Sequence, residues 1–306
     1  MATGDASSPV RFGKGASSPV DNRDLFLSIF GGEVLTAFDS ATVTLDKHFV
    51  KNLSGGAKSY RFPKTWKASA EYHTPGVELL GNDLSTSEQV ITVDDILVSH
   101  YAISDLDRIL SHWDMRSIIA KEMGRALAKV FDQNVFRQLI LAANQAAASP
   151  FPGGSVVTDT GLAASSGVYS GIEYIEAIRT ANIALFNKDV PEDMARYAAV
   201  SVEVFDAIKY AKDSSNNYLV LNRDFGHGGA GGVDARAETM NIDGVTIVKS
   251  RHIPTSDESS TATVYSKYRA DYQNTAVVMW SPQAVATCKL MAVSYTHLTL
   301  PTKRIV

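Results

Sequence analysis

The sequence predicts an α+β fold organised around one very long helix. A helical pattern runs without interruption from Ser104 to Pro150. As a helix, Asp105–Ala147 would measure about 64 Å at roughly 1.5 Å per residue, more than the about 50 Å diameter of a compact sphere of this chain. Strand-like alternation precedes the helix over residues 41–98, and helices and strands alternate over residues 171–260. We therefore expect a flat or elongated subunit whose exposed surface is covered by neighbouring copies.

Composition excludes several classes of protein. The chain of 306 residues is 45% hydrophobic with a formal net charge of −4, so it lacks the overall basic field of tight nucleic-acid binders. Its single cysteine, Cys288, excludes an internal disulfide and a zinc site built from cysteines, and a reducing, cytoplasmic setting fits this. Residues 1–24 have no apolar core and are not predicted to be a signal peptide. No apolar run reaches the about 20 residues that cross a bilayer.

The N-terminal stretch is predicted to be a mobile arm. Residues 1–24 are rich in serine, glycine and proline, and Ala6–Val10 recurs as Ala16–Val20. Such a composition buries too little apolar area to offset the entropy of ordering the chain. The following Leu25–Phe38 segment is strongly apolar with Gly31–Gly32 at its centre, which favours a short helix, a bend and a second short segment; a buried helical hairpin is the alternative.

The segment before the long helix is predicted to be extended. Val90–Val93 and Ile96–Val98 are strong strand candidates, and the chain between Tyr60 and Val90 is mostly polar with isolated aromatic residues. A two-stranded hairpin of this kind is not stable alone in water. We therefore expect it to lie on another subunit.

The long helix has signals at both ends and an apolar stripe between them. Ser104 and Asp107 form a variant of the capping box, and Pro150 disfavours helix at Ser149. Gly124 is predicted to let a crossing element approach closely. The stripe at helical spacing comprises Leu106, Ile109, Leu110, Trp113, Leu127, Val130, Phe131, Leu139 and Ile140.

The rest of the chain predicts an α/β lobe followed by returning strands. Pro150–Gly171 is a linker, Ile172–Lys188 is a helix, and Tyr197–Val200 is a buried strand. Ser201 is predicted to cap a helix that runs to about Lys212. Further strands are predicted at Val245–Val248, Thr263–Tyr265 and Thr275–Trp280, with Ala284–Leu290 closing the fold.

Motifs for catalysis or cofactor binding are weak, and we expect no catalytic residue, no cofactor and no metal. Gly226–Gly231 fits G-x-G-x-x-G, but a poor helix start follows it and Asp243 comes too early for a dinucleotide fold. The histidines show no metal-binding spacing and read as surface or structural residues. One concentration of basic residues lies between positions 47 and 67. It is either a solvated face or a patch that meets acidic neighbours or DNA, and it comprises Lys47, Lys51, Lys58, Arg61, Lys64 and Lys67.

The order of these elements resembles the HK97-type fold of tailed-phage major capsid proteins. Leu25–Phe38 is similar to the arm-to-core segment of major capsid proteins from teseptima-like, short-tailed podophages. The match is densest over residues 25–145. Further similar segments are Phe62–Pro63, Tyr72–Gly76, Gln89–Val93, His112–Arg116 and Ala284–Leu290.

The resemblance implies a division of the chain. Residues 1–50 would be the flexible arm and its link to the core, 51–100 the E-loop with flanking P-domain strands, and 101–150 the spine helix of the P-domain. Residues 151–262 would be the A-domain, and residues 263–292 strands returning to the P-domain. Aromatic and other apolar residues of the E-loop would form the assembly interface, namely Tyr60, Phe62, Trp66, Tyr72, Pro75, Leu79 and Leu84.

The resemblance also implies partners and location. Copies would form hexamers and pentamers of an icosahedral head, with a scaffolding protein, a portal protein, possible minor or decoration proteins and packaged DNA bound without sequence specificity. The protein would sit in the virion, and in the host cytoplasm during assembly, without contact to a membrane. Two alternatives stay open: an encapsulin-like nanocompartment shell, and a nucleotide-binding enzyme that uses the loop Gly226–Gly232.

The C-terminal residues need a separate interpretation. Val293–Thr302 matches the translated end of an adapter used in transposase-based sequencing libraries. We therefore predict that residues 293–306 derive from the adapter and that the natural sequence beyond about residue 292 differs.

Overall fold

The computed structural model describes most of the chain between residues 33 and 289, and the described residues fall into two compact units. Several sequence predictions lie outside them: the arm, the start of the long helix, the glycine-rich loop and the C-terminal stretch. The described residues are 33–53, 58–65, 72–76, 84–93, 96–100, 115–163, 168–212 and 239–289, with single positions 68, 70, 78, 81 and 219.

The first unit contains a close crossing of two helices. Its described residues include a helix over 33–41 (α1) and the first part of the long helix Met115–Ala143 (α2), up to Lys129. A Cβ atom placed on Gly124 would lie 2.7 Å from both the Cβ of Ala37 and the carbonyl oxygen of Val34. The prediction that Gly124 admits a crossing element is confirmed.

Small residues take the buried positions of α2 in this unit. Ala120, Gly124 and Ala128 are buried at a spacing of four residues, which places them on one helix face. Of the predicted stripe, Leu127 is only partly buried. The residues of the stripe before Met115 lie outside the described residues.

A four-stranded sheet forms the centre of the second unit. Its strand order is β5-β6-β4-β7, where β6 is parallel to β4, and β5 and β7 run antiparallel to their neighbours. The sequence prediction of a buried strand at Tyr197–Val200 is confirmed by β4. The strands are β4 Arg196–Val200, β5 Thr239–Ile242, β6 Val245–Lys249 and β7 Val277–Trp280.

Helices cover both faces of this sheet. Gly171–Phe186 (α3) and Val202–Lys209 (α4) pack on one face through a core that includes Tyr174, Phe205 and Ile247. The second half of α2 packs on the other face through a core that includes Phe136 and Trp280. Neighbouring residues of β4 serve different faces: Ala198 belongs to the first core and Ala199 to the second.

The start of α4 follows the predicted capping. The side chain of Ser201 accepts a hydrogen bond of 3.2 Å from the backbone N–H of Val204, which satisfies one of the free donors at the helix start. The helix ends at Lys209, three residues before the predicted end at Lys212.

The long helix ends four residues earlier than predicted. The helical pattern predicts a helix as far as Ala147, but α2 ends at Ala143. The carbonyl of Gln145 accepts a hydrogen bond of 2.9 Å from the N–H of Gly154, so the chain folds back on the helix end. A Cβ on Gly154 would collide with the carbonyl of Ala143, and glycine is therefore needed for this close return.

A buried carboxylate links three parts of the second unit. Asp132 of α2 is fully buried and accepts hydrogen bonds from the N–H groups of Val43 and Thr44, at 3.0 and 3.2 Å, and from the Thr44 hydroxyl at 2.6 Å. Nδ1 of His252 lies 3.1 Å from the same carboxylate. His48 extends the network, with Nδ1 2.6 Å from the Thr44 carbonyl oxygen and Nε2 2.8 Å from the Thr287 hydroxyl.

Two predicted strands are absent from the structure. Ile96–Val98 is described but is not part of a strand, and Ile96 is 82% exposed. Thr263–Tyr265 contains a turn and a bend instead of a strand, and the Arg269 side chain donates to the carbonyls of Ala262 and Val264.

The last two strands go to different places. The sequence predicts that both strands return to the long-helix lobe. β7 pairs with β4 in the four-stranded sheet, and its Trp280 also shares a core with Phe136 of α2. Ala286–Lys289 (β8) returns to the segment before α2, where it pairs in parallel with Phe49–Asn52 (β1). Within the described residues, no helix is long and apolar enough to span a membrane.

Candidate assembly interface

The segment predicted to be the E-loop contains a separate two-stranded ribbon in the second unit. Ser59–Thr65 (β2) pairs antiparallel with Thr86–Thr92 (β3) in a register that runs from Ser59 opposite Thr92 to Thr65 opposite Thr86. Among the described residues, these two strands form a sheet of their own. Five of the seven residues of β2 and six of the seven residues of β3 are exposed.

One face of the ribbon is anchored to its own chain. Tyr60 and Phe62 point to the same face of β2, with ring centroids 4.7 Å apart. The Phe62 ring meets the Phe49 ring of β1 edge to face at 5.8 Å, and the ammonium of Lys51 lies 5.2 Å from the centre of the Tyr60 ring. These two predicted interface residues therefore also attach the ribbon to β1.

The opposite face of the ribbon is polar and exposed. The guanidinium of Arg61 lies 3.0 Å from the Glu88 carboxylate of the neighbouring strand, and both side chains are more than half exposed. Val90, directly opposite Arg61, is exposed as well. The sequence singles out Arg61 only as part of a basic stretch, and it does not indicate that Glu88 and Val90 share a face with it. The strand register decides this, and no short turn sets that register in the sequence.

The predicted interface residues beyond the paired strands are exposed wherever the structure describes them. Tyr72 is fully exposed, Pro75 is exposed in a turn, and Leu84 is half exposed. Trp66 and Leu79 lie outside the described residues. The segment between the ribbon strands therefore exposes apolar side chains within the described part of the chain, which is typical of a protein–protein contact.

The basic residues near the ribbon are partly engaged within the chain. Lys47 lies 2.7 Å from Asp46, Lys51 contacts the Tyr60 ring, and Arg61 pairs with Glu88. Lys58 and Lys64 are exposed, and Lys67 lies outside the described residues. In the part of the chain that the structure describes, no group of three His, Cys, Asp or Glu side chains is arranged to hold a metal ion.

Comparison with known sequences points to phage capsid proteins. A family model described as "Gp10A-like: Major capsid protein" matches residues 61–297, which includes the first residues of the predicted adapter stretch. The major capsid protein of Escherichia phage T7 is 37% identical over 139 residues. That of Enterobacteria phage T3 is 36% identical over 129 residues. These alignments cover 45% and 42% of this chain, but only 40% and 37% of the phage proteins.

Comparison with solved structures points the same way. The capsid structure of the Cyanophage P-SCSP1u has a chain with 35% sequence identity and a TM-score of 0.66, and the match covers 93% of this chain and 86% of that one. A chain of the bacteriophage PhiM1 mature capsid has a TM-score of 0.60 at 19% identity, covering 81% of this chain and 75% of that one, and supports the fold alone. The predicted HK97-type α+β fold is confirmed by these likenesses.

Proposed function

Because the chain belongs to the Gp10A-like family of major capsid proteins, we propose that its copies assemble into the hexamers and pentamers of an icosahedral phage head that encloses double-stranded DNA. In this role the protein is a structural subunit of the virion. Each copy contributes the same surfaces to contacts that symmetry repeats, so that modest interfaces together hold the shell.

The exposed ribbon is the observation that carries the assembly proposal. Six of the seven residues of β3 are exposed, and Tyr60 and Phe62 of β2 contact Lys51 and Phe49 of β1. A two-stranded ribbon is marginally stable in water without a surface to pack on. In the shell, a neighbouring subunit supplies that surface. The exposed Tyr72, Pro75 and Leu84 of this chain contact it.

The partners follow from the same role. A scaffolding protein and a portal protein would act during assembly, minor or decoration proteins would bind the outer shell, and the proposal involves no membrane. The net charge of −4 is compatible with a shell that encloses DNA without binding it tightly, because a strongly basic interior would hold DNA through salt-dependent phosphate contacts. The likeness to phage capsid proteins favours a virion over an encapsulin-like compartment.

Assembly in the presence of the scaffold tests the proposal. The chain is expressed together with the scaffold gene of the same genome, and the particles are examined by cryo-electron microscopy. We expect closed icosahedral shells whose capsomers resolve into hexamers and pentamers. Soluble protein that stays monomeric with its scaffold, at concentrations at which capsid subunits normally assemble, would contradict the proposed function.

A further inference from the structure

We propose that the outer edge of β3 is a strand-addition site, at which an extended segment of a second copy of this chain adds a third strand to the ribbon. The inference rests on the proposed assembly into shells and specifies one of its contacts. It follows from the direction of the backbone groups in the ribbon, from the difference between its two edges, and from its exposure.

A single hydrogen bond fixes which backbone groups point outward. The N–H of Val93 donates to the carbonyl of Lys58 at 2.9 Å, one step beyond the paired residues Ser59 and Thr92. In an antiparallel ladder, hydrogen-bonded and non-hydrogen-bonded pairs alternate. The pair of Ser59 and Thr92 is therefore non-hydrogen-bonded, and so is every second pair after it. On β3 the residues whose N–H and C=O groups face outward are Thr86, Glu88, Val90 and Thr92.

The outer edge of β2 is protected against strand addition. By the same alternation, Pro63 occupies an outward-facing position in the middle of β2 and offers no N–H there. Exposed lysines flank it at Lys58 and Lys64. A proline and lysines on an edge strand are the usual means of preventing another strand from pairing.

The outer edge of β3 has no such protection. Its sequence between Thr86 and Thr92 contains neither proline nor lysine, and Val90 is 42% exposed. Among the described residues β3 pairs only with β2. Four outward donors and four outward acceptors are therefore available to an incoming strand along one side of the ribbon, while the other side lacks its central donor.

A second copy is the occupant that this arrangement favours. The family is one of capsid proteins, and in a shell every copy brings its neighbours' segments close to each ribbon. A third strand also removes the weakness of an isolated two-stranded ribbon. Main-chain hydrogen bonds supply the affinity in such a contact, and the side chains of the receiving strand, including Glu88 and Val90, set the register.

Amide hydrogen exchange in shells tests the inference without any substitution. Exchange is compared residue by residue between the unassembled subunit and shells assembled from this purified chain alone. We expect the outward amides of Glu88, Val90 and Thr92 to slow by about 100-fold or more on assembly. The outward amides of Ser59 and Arg61 on β2 are expected to change far less, which provides the internal control.

Two proline substitutions test the same edge through assembly. Ser59 and Thr92 are directly opposite each other, and the N–H of each faces outward. Thr92→Pro removes a donor from the β3 edge and Ser59→Pro removes one from the β2 edge, while both leave the ladder bonds of the ribbon intact. We expect the assembly rate to fall by about tenfold for Thr92→Pro. Ser59→Pro and Thr92→Val, which keeps the N–H, should assemble normally.

The outcomes separate this inference from the proposed function. Shells in which the β3 amides exchange as fast as in the free subunit would refute strand addition and leave the capsid role intact. Protection that already exists in the monomer would show that the chain covers its own edge, and would also refute it. Protection that appears only when the scaffold is present would assign the edge to the scaffold rather than to a second copy.

Discussion

At the scale of single residues, one carboxylate carries much of the tertiary specificity of the second unit. Asp132 accepts from two backbone N–H groups and one hydroxyl of the Val43–Thr44 segment, and it faces His252. The sequence does not distinguish this aspartate from the exposed ones, because its partners lie 88 and 120 positions away along the chain. The reading of His48 and His252 as structural residues fits their observed hydrogen bonds.

Replacing Asp132 by asparagine tests the importance of this buried carboxylate. The amide group keeps the size of the side chain but removes the charge, and it cannot accept on both sides from the backbone donors of Val43 and Thr44. We expect the free energy of unfolding to fall by about 2–4 kcal/mol, measured by urea denaturation. Asp46→Asn removes an exposed carboxylate that pairs with the mostly buried Lys47 side chain, and it should change the free energy of unfolding by less than about 1 kcal/mol. Equal effects would show that the network is dispensable.

His48 predicts how stability depends on pH. Burial lowers the pKa of His48 below its ordinary value of 6.5, against the opposing effects of the Thr44 carbonyl, Asp132 and Asp46. The unfolded chain then binds a proton more readily than the folded one. The full stability is present above pH 6.5 and is lost as the pH falls from 6.5 through the lower folded-state pKa, by about 1.4 kcal/mol for each unit between the two values.

The matched variant for this prediction is His48→Asn, whose amide can still donate to the Thr44 carbonyl. Urea denaturation at several pH values between 7.5 and 5 compares the two proteins. The loss of stability on acidification should be smaller in the variant, although the variant is less stable at neutral pH. The same loss in both proteins would place the pH dependence elsewhere.

At the scale of elements, the sequence predicts best where local signals are sufficient. Ser201 marks the start of α4, and the apolar run at Tyr197–Val200 gives the buried strand β4. Prediction fails where the outcome depends on a distant partner. Ile96–Val98 has strand-forming residues but no strand beside it among the described residues, and the return of the chain at Gly154 ends α2 before Pro150 does.

Gly124→Ala tests the crossing of α1 and α2. On an open helix surface this change usually stabilises by about 0.5–1 kcal/mol. Here the new methyl group would meet the Ala37 side chain and the Val34 carbonyl at 2.7 Å, so we expect a net loss of about 1–3 kcal/mol in thermal or urea unfolding. Ala126→Gly, at an exposed position of the same helix, measures the helix propensity alone. A stabilised Gly124→Ala protein would mean that the crossing adapts without cost.

At the scale of the whole molecule, the family and the α+β fold could be predicted from the order of the elements and the similar segments. The interface could be predicted only in outline. Isolated aromatic residues in a polar stretch indicated that the ribbon needs a partner, but they did not reveal that Tyr60 and Phe62 also pack against β1. The charge pair of Arg61 and Glu88 required the strand register, which the sequence does not determine.

Deleting the ribbon separates folding from assembly. Residues 60–90 contribute little to either core, since those cores lie around the four-stranded sheet. We therefore expect the deletion variant, with a short glycine-rich linker, to remain soluble with a melting temperature close to that of the full chain. Sedimentation should show no shells under conditions in which the full chain assembles. Normal shells from the variant would remove the ribbon from the interface.

The unlike edges of the ribbon also restrict the symmetry of any contact made there. Each copy offers the β3 edge, and the neighbouring copy inserts a different segment there. Such contacts are head to tail, and a series of them can close as a ring of five or of six copies. Two β3 edges paired with each other would satisfy both copies at once and stop growth at a pair. Pro63 removes one backbone donor from the β2 edge, so that the ribbon can be extended only at its β3 edge.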